Sequence, residues 1–140
     1  MAKKKILVLC TGNSARSQMA EGLLKHICNH AYDVFSAGTA PSIVRPEAIK
    51  ALAEVGIDIS GNRSKSVEEF AGEEIDFVLT VCDNARENCP FFPARTMLVH
   101  HAFEDPAAVE GDEEIRLEAF RRVRDEIREY LPAFLDEIEI

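Results

Sequence analysis

No apolar run in this 140-residue sequence approaches the ~20 residues needed to span a membrane. The N-terminal lysines of MAKKKILVLC precede only Ile6, Leu7, Val8 and Leu9 before Cys10 and a polar loop. That stretch is too short for the apolar core of a signal peptide. A cytoplasmic protein is expected, with no membrane partner. Positive charge is also scarce: 16 Lys and Arg stand against 25 Asp and Glu, a formal charge of −9. Such a chain repels nucleic acid and anionic lipid, so any anion it binds must be captured locally, against the overall field. Internal repeats, linkers and low-complexity segments are missing. Cysteine is sparse, with four residues: Cys10, Cys28, Cys82 and Cys89. In a reducing compartment such cysteines are more often free, catalytic or metal-bound than stapled.

The length suits a single domain, residues 1–140, with a core large enough to fold without disulfides. KKKILVLC reads as a buried strand ended by the turn TGNSARS. Met19, Ala20, Leu23, Leu24, Ile27, Cys28 and Ala31 recur at helical spacing. YDVFSAG is a second strand closed by Gly38. Pro46 opens a helix with its body over Ala48 to Val55, and Gly56 fits its cap. Ser66 and Glu69 suggest a capping box for a short helix, Val67 to Ala71. IDFVLTVC and RTMLVH are the third and fourth strands. Phe120, Val123, Ile127, Leu131, Phe134 and Ile138 form the stripe of a last helix, which Pro132 should kink or divide. Short apolar strands alternating with helices predict an α/β fold, a four-stranded parallel sheet with helices on both faces. Sites in such sheets form beyond the strands' carboxyl ends, where Cys10 and Cys82 both fall.

Cys10-Thr11-Gly12-Asn13-Ser14-Ala15-Arg16-Ser17 joins a strand to a helix. Converging N–H groups and the helix N-terminus can cradle a tetrahedral oxyanion. Gly12 and Asn13 tolerate the positive φ such a loop demands. Arg16 can grip two oxygens with its planar fork. A thiolate at Cys10, beneath the anion, is placed for in-line attack on the central atom. Ser17 could bond both the loop and this thiolate, and Asn13 would hold the loop's shape. A buried cysteine followed by an ordinary turn is the plain alternative. The flanking strand, Gly-Asn turn and helix make the motif far more specific than a bare Cys-x5-Arg.

VCDNARENCP places Cys82 and Cys89 seven apart. A structural staple, half of a metal site and an electron-carrying pair are all conceivable. Cys-x6-Cys is not a usual zinc-finger spacing, and the adjacent His100 and His101 would point to opposite faces of a strand. No metal and no other cofactor is expected. A thiol pair protecting a nucleophile from overoxidation stays open beside the electron-carrying reading. In one regular helix the two Cα atoms would stand about 10.5 Å apart, whereas a disulfide needs about 4.4–6.8 Å. The intervening DNAREN, with Ala85 its one apolar residue, is expected to be a marginal helix that refolds on oxidation.

CTGNSARSQMAEG resembles the phosphate loop of the low-molecular-weight tyrosine phosphatase superfamily. With VCDNARENCP and FEDPA, the chain is similar over essentially its whole length to the superfamily's thioredoxin-coupled arsenate reductases. The resemblance implies arsenate as substrate, bound by residues 11 to 17, and thioredoxin as reductant. It implies that Cys10 attacks arsenate, and that Cys82 takes up the oxidation as a transient Cys10–Cys82 disulfide. Cys89 then forms Cys82–Cys89. The chemistry agrees: arsenic(V) accepts two electrons and two thiols supply them, whereas phosphorus(V) is not reduced by thiols. Asp105, in Phe103-Glu104-Asp105-Pro106, matches the superfamily's general acid, with Glu104 as second choice; a plain Asp-Pro turn is the bland reading. Ala107 and Ala108 stand where phosphatases carry an aromatic pair. Some relatives bind potassium with residues matching Asn13, Glu21 and Ser36 plus an aspartate near position 65, where this chain has Lys65. Cys28 reads as packing, and His26 and His30 as surface. An arsenate reductase acting as a monomer is the resulting expectation. Its rivals are a phosphatase for phosphotyrosine or small monoesters, with a protective cysteine pair, and a regulatory module sensing oxyanion or redox state.

Overall fold

The computed structural model describes residues 3–28, 30–82 and 92–139. Four strands build one sheet: β1 (Lys4–Cys10), β2 (Tyr32–Gly38), β3 (Phe77–Thr80) and β4 (Met97–His100). Their order is β2-β1-β3-β4, and every pairing is parallel. Parallel neighbours need crossovers: α1 (Arg16–Cys28) connects β1 to β2 and α2 (Pro46–Ala53) lies between β2 and β3, while α3 (Glu113–Ile138) follows β4.

β1 lies inside the sheet, and Ile6 to Leu9 are fully buried. Both faces of the strand must therefore be apolar, which is why KILVLC does not alternate with polar residues. Ile6, Val8 and Cys10 face a core shared with all three α-helices. Leu7 and Leu9 face a smaller cluster with Ala37, Ile75, Val78 and Phe92, covered by Val67 and Phe70. Helical cover thus lies on both faces, unequally. On the second face the helix is a 3-10 turn, Val67–Phe70.

The turn at residues 66–70 differs in detail from its expected capping box. Ser66 Oγ accepts from the Glu68 N–H, one residue earlier than in an α-helical box, because the tighter 3-10 turn brings that amide nearer. Glu69 is drawn to Arg63. Pro132 does not divide α3, which runs unbroken for 26 residues. The apolar stripe through Phe120, Val123, Ile127, Leu131, Phe134 and Ile138 is buried along its length. Packing outweighs the lost backbone bond. Asp112 starts the helix by accepting from the Ile115 N–H. Among the described residues no helix is long and apolar enough to cross a membrane.

The carboxyl ends of the strands converge on one edge. Val81 N–H donates to Leu9 O, extending the β1–β3 ladder, so Cys82 stands just beyond the level of Cys10. His101 and Phe103 likewise donate to Thr80 O and Val81 O, carrying the chain after β4 past the same edge.

Candidate active site

Cys10 ends β1 and is nearly fully buried, with a free thiol. Residues 11–15 form a bend before α1 begins at Arg16. The carbonyls of Thr11, Gly12 and Ser14 accept from the N–H groups of Ala40, Ser42 and Arg45. Ser64 Oγ also donates to Gly12 O. The loop's carbonyls are thus engaged outside it, as an anion nest requires. Gly38, at the end of β2, allows the close approach. A Cβ there would meet Thr11 O at 2.4 Å and Cys10 O at 2.8 Å.

Asn13 is the one non-glycine with positive φ among the described residues, at 47°. Of the two residues able to take that conformation, Gly12 does not adopt it; one left-handed residue suffices to reverse this loop. Gly12 is favoured by space instead, since a Cβ would stand 3.1 Å from Ser14 Oγ. Asparagine tolerates the left-handed region, and its side chain here is fully engaged. Nδ2 donates to Ser17 Oγ at 2.8 Å and Ser36 Oγ at 2.9 Å. Oδ1 accepts from the Lys65 backbone N–H at 2.8 Å. Ser17 Oγ in turn lies 2.8 Å from Cys10 Sγ. Because Ser17 already accepts from Asn13, its own hydrogen is available to donate to the sulfur, which would stabilise negative charge there.

Arg16 is 4% exposed in its side chain. Its Nη1 donates to Phe103 O at 3.2 Å, and its Nη2 lies 3.9 Å from Asp105 Oδ2. The anion loop and the Asp-Pro loop therefore meet through this guanidinium. Asp105 also fills its plain turn role: Oδ1 accepts from the Ala107 N–H and caps the 3-10 turn Pro106–Ala108. Glu104 points elsewhere, bonded at 3.0 Å to Arg122 of α3. Of the two neighbouring acids, Asp105 is the one facing Arg16.

Cys82 is fully buried and disulfide-bonded. Cys89, and the expected refolding of residues 83–88, lie outside the described residues. Cys28 is buried in the helical core, where its thiol donates to Leu24 O and burial pushes its pKa up. His26 and His30 are exposed.

Asn13, Ser36, Glu21 and Lys65 form one connected network. Ser36 Oγ donates to Glu21 Oε1. Lys65 Nζ stands 3.8 Å from that oxygen, and Lys25 Nζ 2.7 Å from Oε2. Burial lowers the pKa of Lys65, with Glu21 pulling the other way. The cationic charge near Glu21 is thus supplied by the protein. A second cation would meet the Lys65 ammonium, so the donor set does not fit potassium.

Two features were missed in the sequence. Gln18, polar and on the first turn of α1, is fully buried; periodicity flags apolar positions and gave no signal for it. His101, Phe103 and Tyr130 form an aromatic cluster beside Arg16, with His101 stacked on Tyr130 at 3.8 Å between ring centroids. Tyr130 sits one residue before Leu131 of the apolar stripe, so its partial burial could have been read from that offset.

Residues 5–140 match the family described as low molecular weight phosphotyrosine protein phosphatase. An arsenate reductase from Halalkalibacterium halodurans is 45% identical over 136 residues, covering 97% of this chain and 98% of that protein. A solved arsenate reductase in the phosphate-binding state superposes with a TM-score of 0.79 at 36% identity, covering 96% of this chain and 98% of the other. A thioredoxin-dependent arsenate reductase from Corynebacterium glutamicum superposes with a TM-score of 0.68 at 26% identity, covering 98% of this chain and 62% of its own. By its matched length and by its fold, this chain belongs to the low molecular weight phosphotyrosine protein phosphatase family.

Proposed function

We propose that this protein is an arsenate reductase that passes oxidation from Cys10 through Cys82 to Cys89 and is regenerated by thioredoxin. The observation that carries the reading is the pairing of two cysteines at neighbouring strand ends. Cys10 is a free thiol beside a serine hydroxyl at the base of the loop. Cys82, on the adjoining strand end, is disulfide-bonded. Phosphate-ester hydrolysis needs the first cysteine and water, and in a phosphatase the second could only protect the first from oxidation. The name of the H. halodurans relative and the phosphate-bound state of the solved one support an oxyanion substrate of this size and charge.

In this reading residues 11 to 17 bind arsenate, with Arg16 holding two oxygens. The Cys10 thiolate attacks arsenic, an S–As bond forms, and one oxygen leaves with a proton from Asp105. The Cys82 thiolate then attacks Cys10 Sγ. The S–S bond forms while the S–As bond breaks, leaving its electron pair on arsenic. Arsenic(V) becomes arsenic(III) and departs as arsenite. Cys89, as thiolate, displaces Cys10 from Cys82, which restores the nucleophile. The free Cys10 and oxidised Cys82 of the structure are the states expected at this point. A thioredoxin dithiol reduces the Cys82–Cys89 bond, so its two electrons are those that arsenic received. A monomer in the reducing cytoplasm suits this cycle, since Cys10 must start as a thiol.

The test supplies arsenate with thioredoxin, thioredoxin reductase and NADPH, and follows NADPH loss. Continuous turnover by the wild type, and its loss in Cys89→Ser, is the expected result. Hydrolysis of p-nitrophenyl phosphate that survives Cys82→Ser and Cys89→Ser, with no arsenate turnover, would assign a phosphatase instead.

A further inference from the structure

Gln18 has no exposed surface, yet its amide bonds to two separate segments, the loop at Asn13 and residues 62–63. Nε2 donates to Asn13 O at 3.2 Å, to Asn13 Oδ1 at 3.0 Å and to Arg63 O at 3.0 Å. Oε1 accepts from Asn62 Nδ2 at 3.1 Å. Two hydrogens thus serve three oxygens, one of them shared between the two oxygens of Asn13.

The orientation of each amide follows from its partners. Arg63 O and Asn13 O are backbone carbonyls and can only accept, so the nitrogen of Gln18 must face them. The Lys65 backbone N–H can only donate, so the oxygen of Asn13 must face it. Asn13 Nδ2 is therefore turned to Ser17 and Ser36. An unbroken sequence of bonds runs from Gln18 to Asn13, from Asn13 to Ser17, and from Ser17 to Cys10 Sγ. The same bonds hold Asn13 at its left-handed φ. A residue kept in a sparsely populated backbone region persists when its surroundings over-determine it.

We propose that Gln18 is a positioning residue for Cys10. It fixes the Asn13 amide, and through that amide it aims the Ser17 hydroxyl at the nucleophile's sulfur. The inference rests on reading Cys10 as the nucleophile. Gln18 touches neither substrate nor the reacting atoms. If it served only to fill space, an apolar side chain of similar volume would replace it with little consequence.

Gln18→Met makes that distinction. Alkylation of Cys10 by iodoacetamide is followed by mass spectrometry of the peptide containing it, across a range of pH. The variant is expected to react about ten-fold more slowly at neutral pH, the change that follows when a hydrogen bond to a charged group is weakened. kcat/KM for arsenate should fall by a similar factor. An alkylation profile that superimposes on wild type overturns the inference. Should Gln18→Met fail to give a folded circular-dichroism spectrum, Asn62→Ala decides. It removes the donor to Gln18 Oε1 at a half-buried site, and should slow neutral-pH alkylation about two- to three-fold; a superimposed profile again overturns the inference. Wild-type arsenate turnover that survives Cys10→Ser would instead overturn the nucleophile reading itself.

Discussion

The two loops that meet at Arg16 are built differently. The Cys10 loop is held from behind by a buried hydrogen-bond network, in which Asn13, Ser17 and Gln18 have no exposed surface. The Asp105 loop is held by a short cap, and the Asp105 side chain is 39% exposed. The difference suits two tasks. A nucleophile and its anion cradle gain from being fixed before substrate arrives, because no reorganisation then accompanies the reaction. A proton donor must reach an oxygen that changes position as it leaves, and an exposed carboxyl on a short turn has room to do so.

The largest effect should come from the fixed loop. Cys10→Ser is expected to abolish arsenate turnover while leaving thermal unfolding close to wild type, since the hydroxyl can still bond Ser17. Retained turnover would mean the wrong residue has been taken as nucleophile. Asp105→Asn separates the two roles of the looser side chain. Asparagine caps a helical turn as well as aspartate does, so stability should hold while the first chemical step slows about 10²-fold. A loss of stability without a loss of rate would reduce Asp105 to a turn residue. Glu104→Gln, which breaks the exposed contact with Arg122, should change rate little. Gly38→Ala strikes the fixed loop from outside, because the added methyl meets Thr11 O and Cys10 O. It should destabilise the fold by about 1–3 kcal/mol and weaken arsenate binding, measured by urea unfolding and by KM.

The smallest effect concerns pH. Burial lowers the pKa of Lys65 from the ordinary lysine value of 10.5. Below its folded value both folded and unfolded chains carry the proton, and the cost of burying the charge is constant. Between the folded value and 10.5 the unfolded chain binds a proton that the folded chain has released, so this group's share of stability rises with pH. Wild type should therefore gain stability relative to Lys65→Met as pH climbs through that alkaline window. A constant difference would place Lys65 in a less buried setting.

Much of this arrangement could be read from residues. β1 and the Cys10 loop were legible because an apolar run ending in Cys-Thr-Gly-Asn has few alternatives. Four strands followed from short apolar runs ended by turn signals, and a long final helix from its apolar stripe. The network behind the loop was not legible. Gln18 and Glu21 look like solvent-facing positions of an amphipathic helix, and their burial depends on residues 57 to 65 folding over them. The choice of Asp105 over Glu104 rests on the Asp-Pro match alone; their separate contacts, one with Arg122 and the other with Arg16, come from the turn. Gly12 and Asn13 equally allow positive φ, and the hydrogen bonds select Asn13. Pro132 shows the reverse case: a local signal that could divide the helix does not do so where the stripe is buried.

The clamps on the Cys10 loop have a consequence for how the molecule acquires activity. Residues 10 to 17 emerge early in synthesis, but the groups that hold them come from Ser36, Gly38, Arg63, Lys65, Phe103 and Asp105. Every strand pairing is parallel and so joins distant parts of the chain. The shaped loop is therefore a late product of folding. A nascent or partly folded chain carries Cys10 without the contacts that shape the loop around it, so formation of the loop reports completion of the whole sheet.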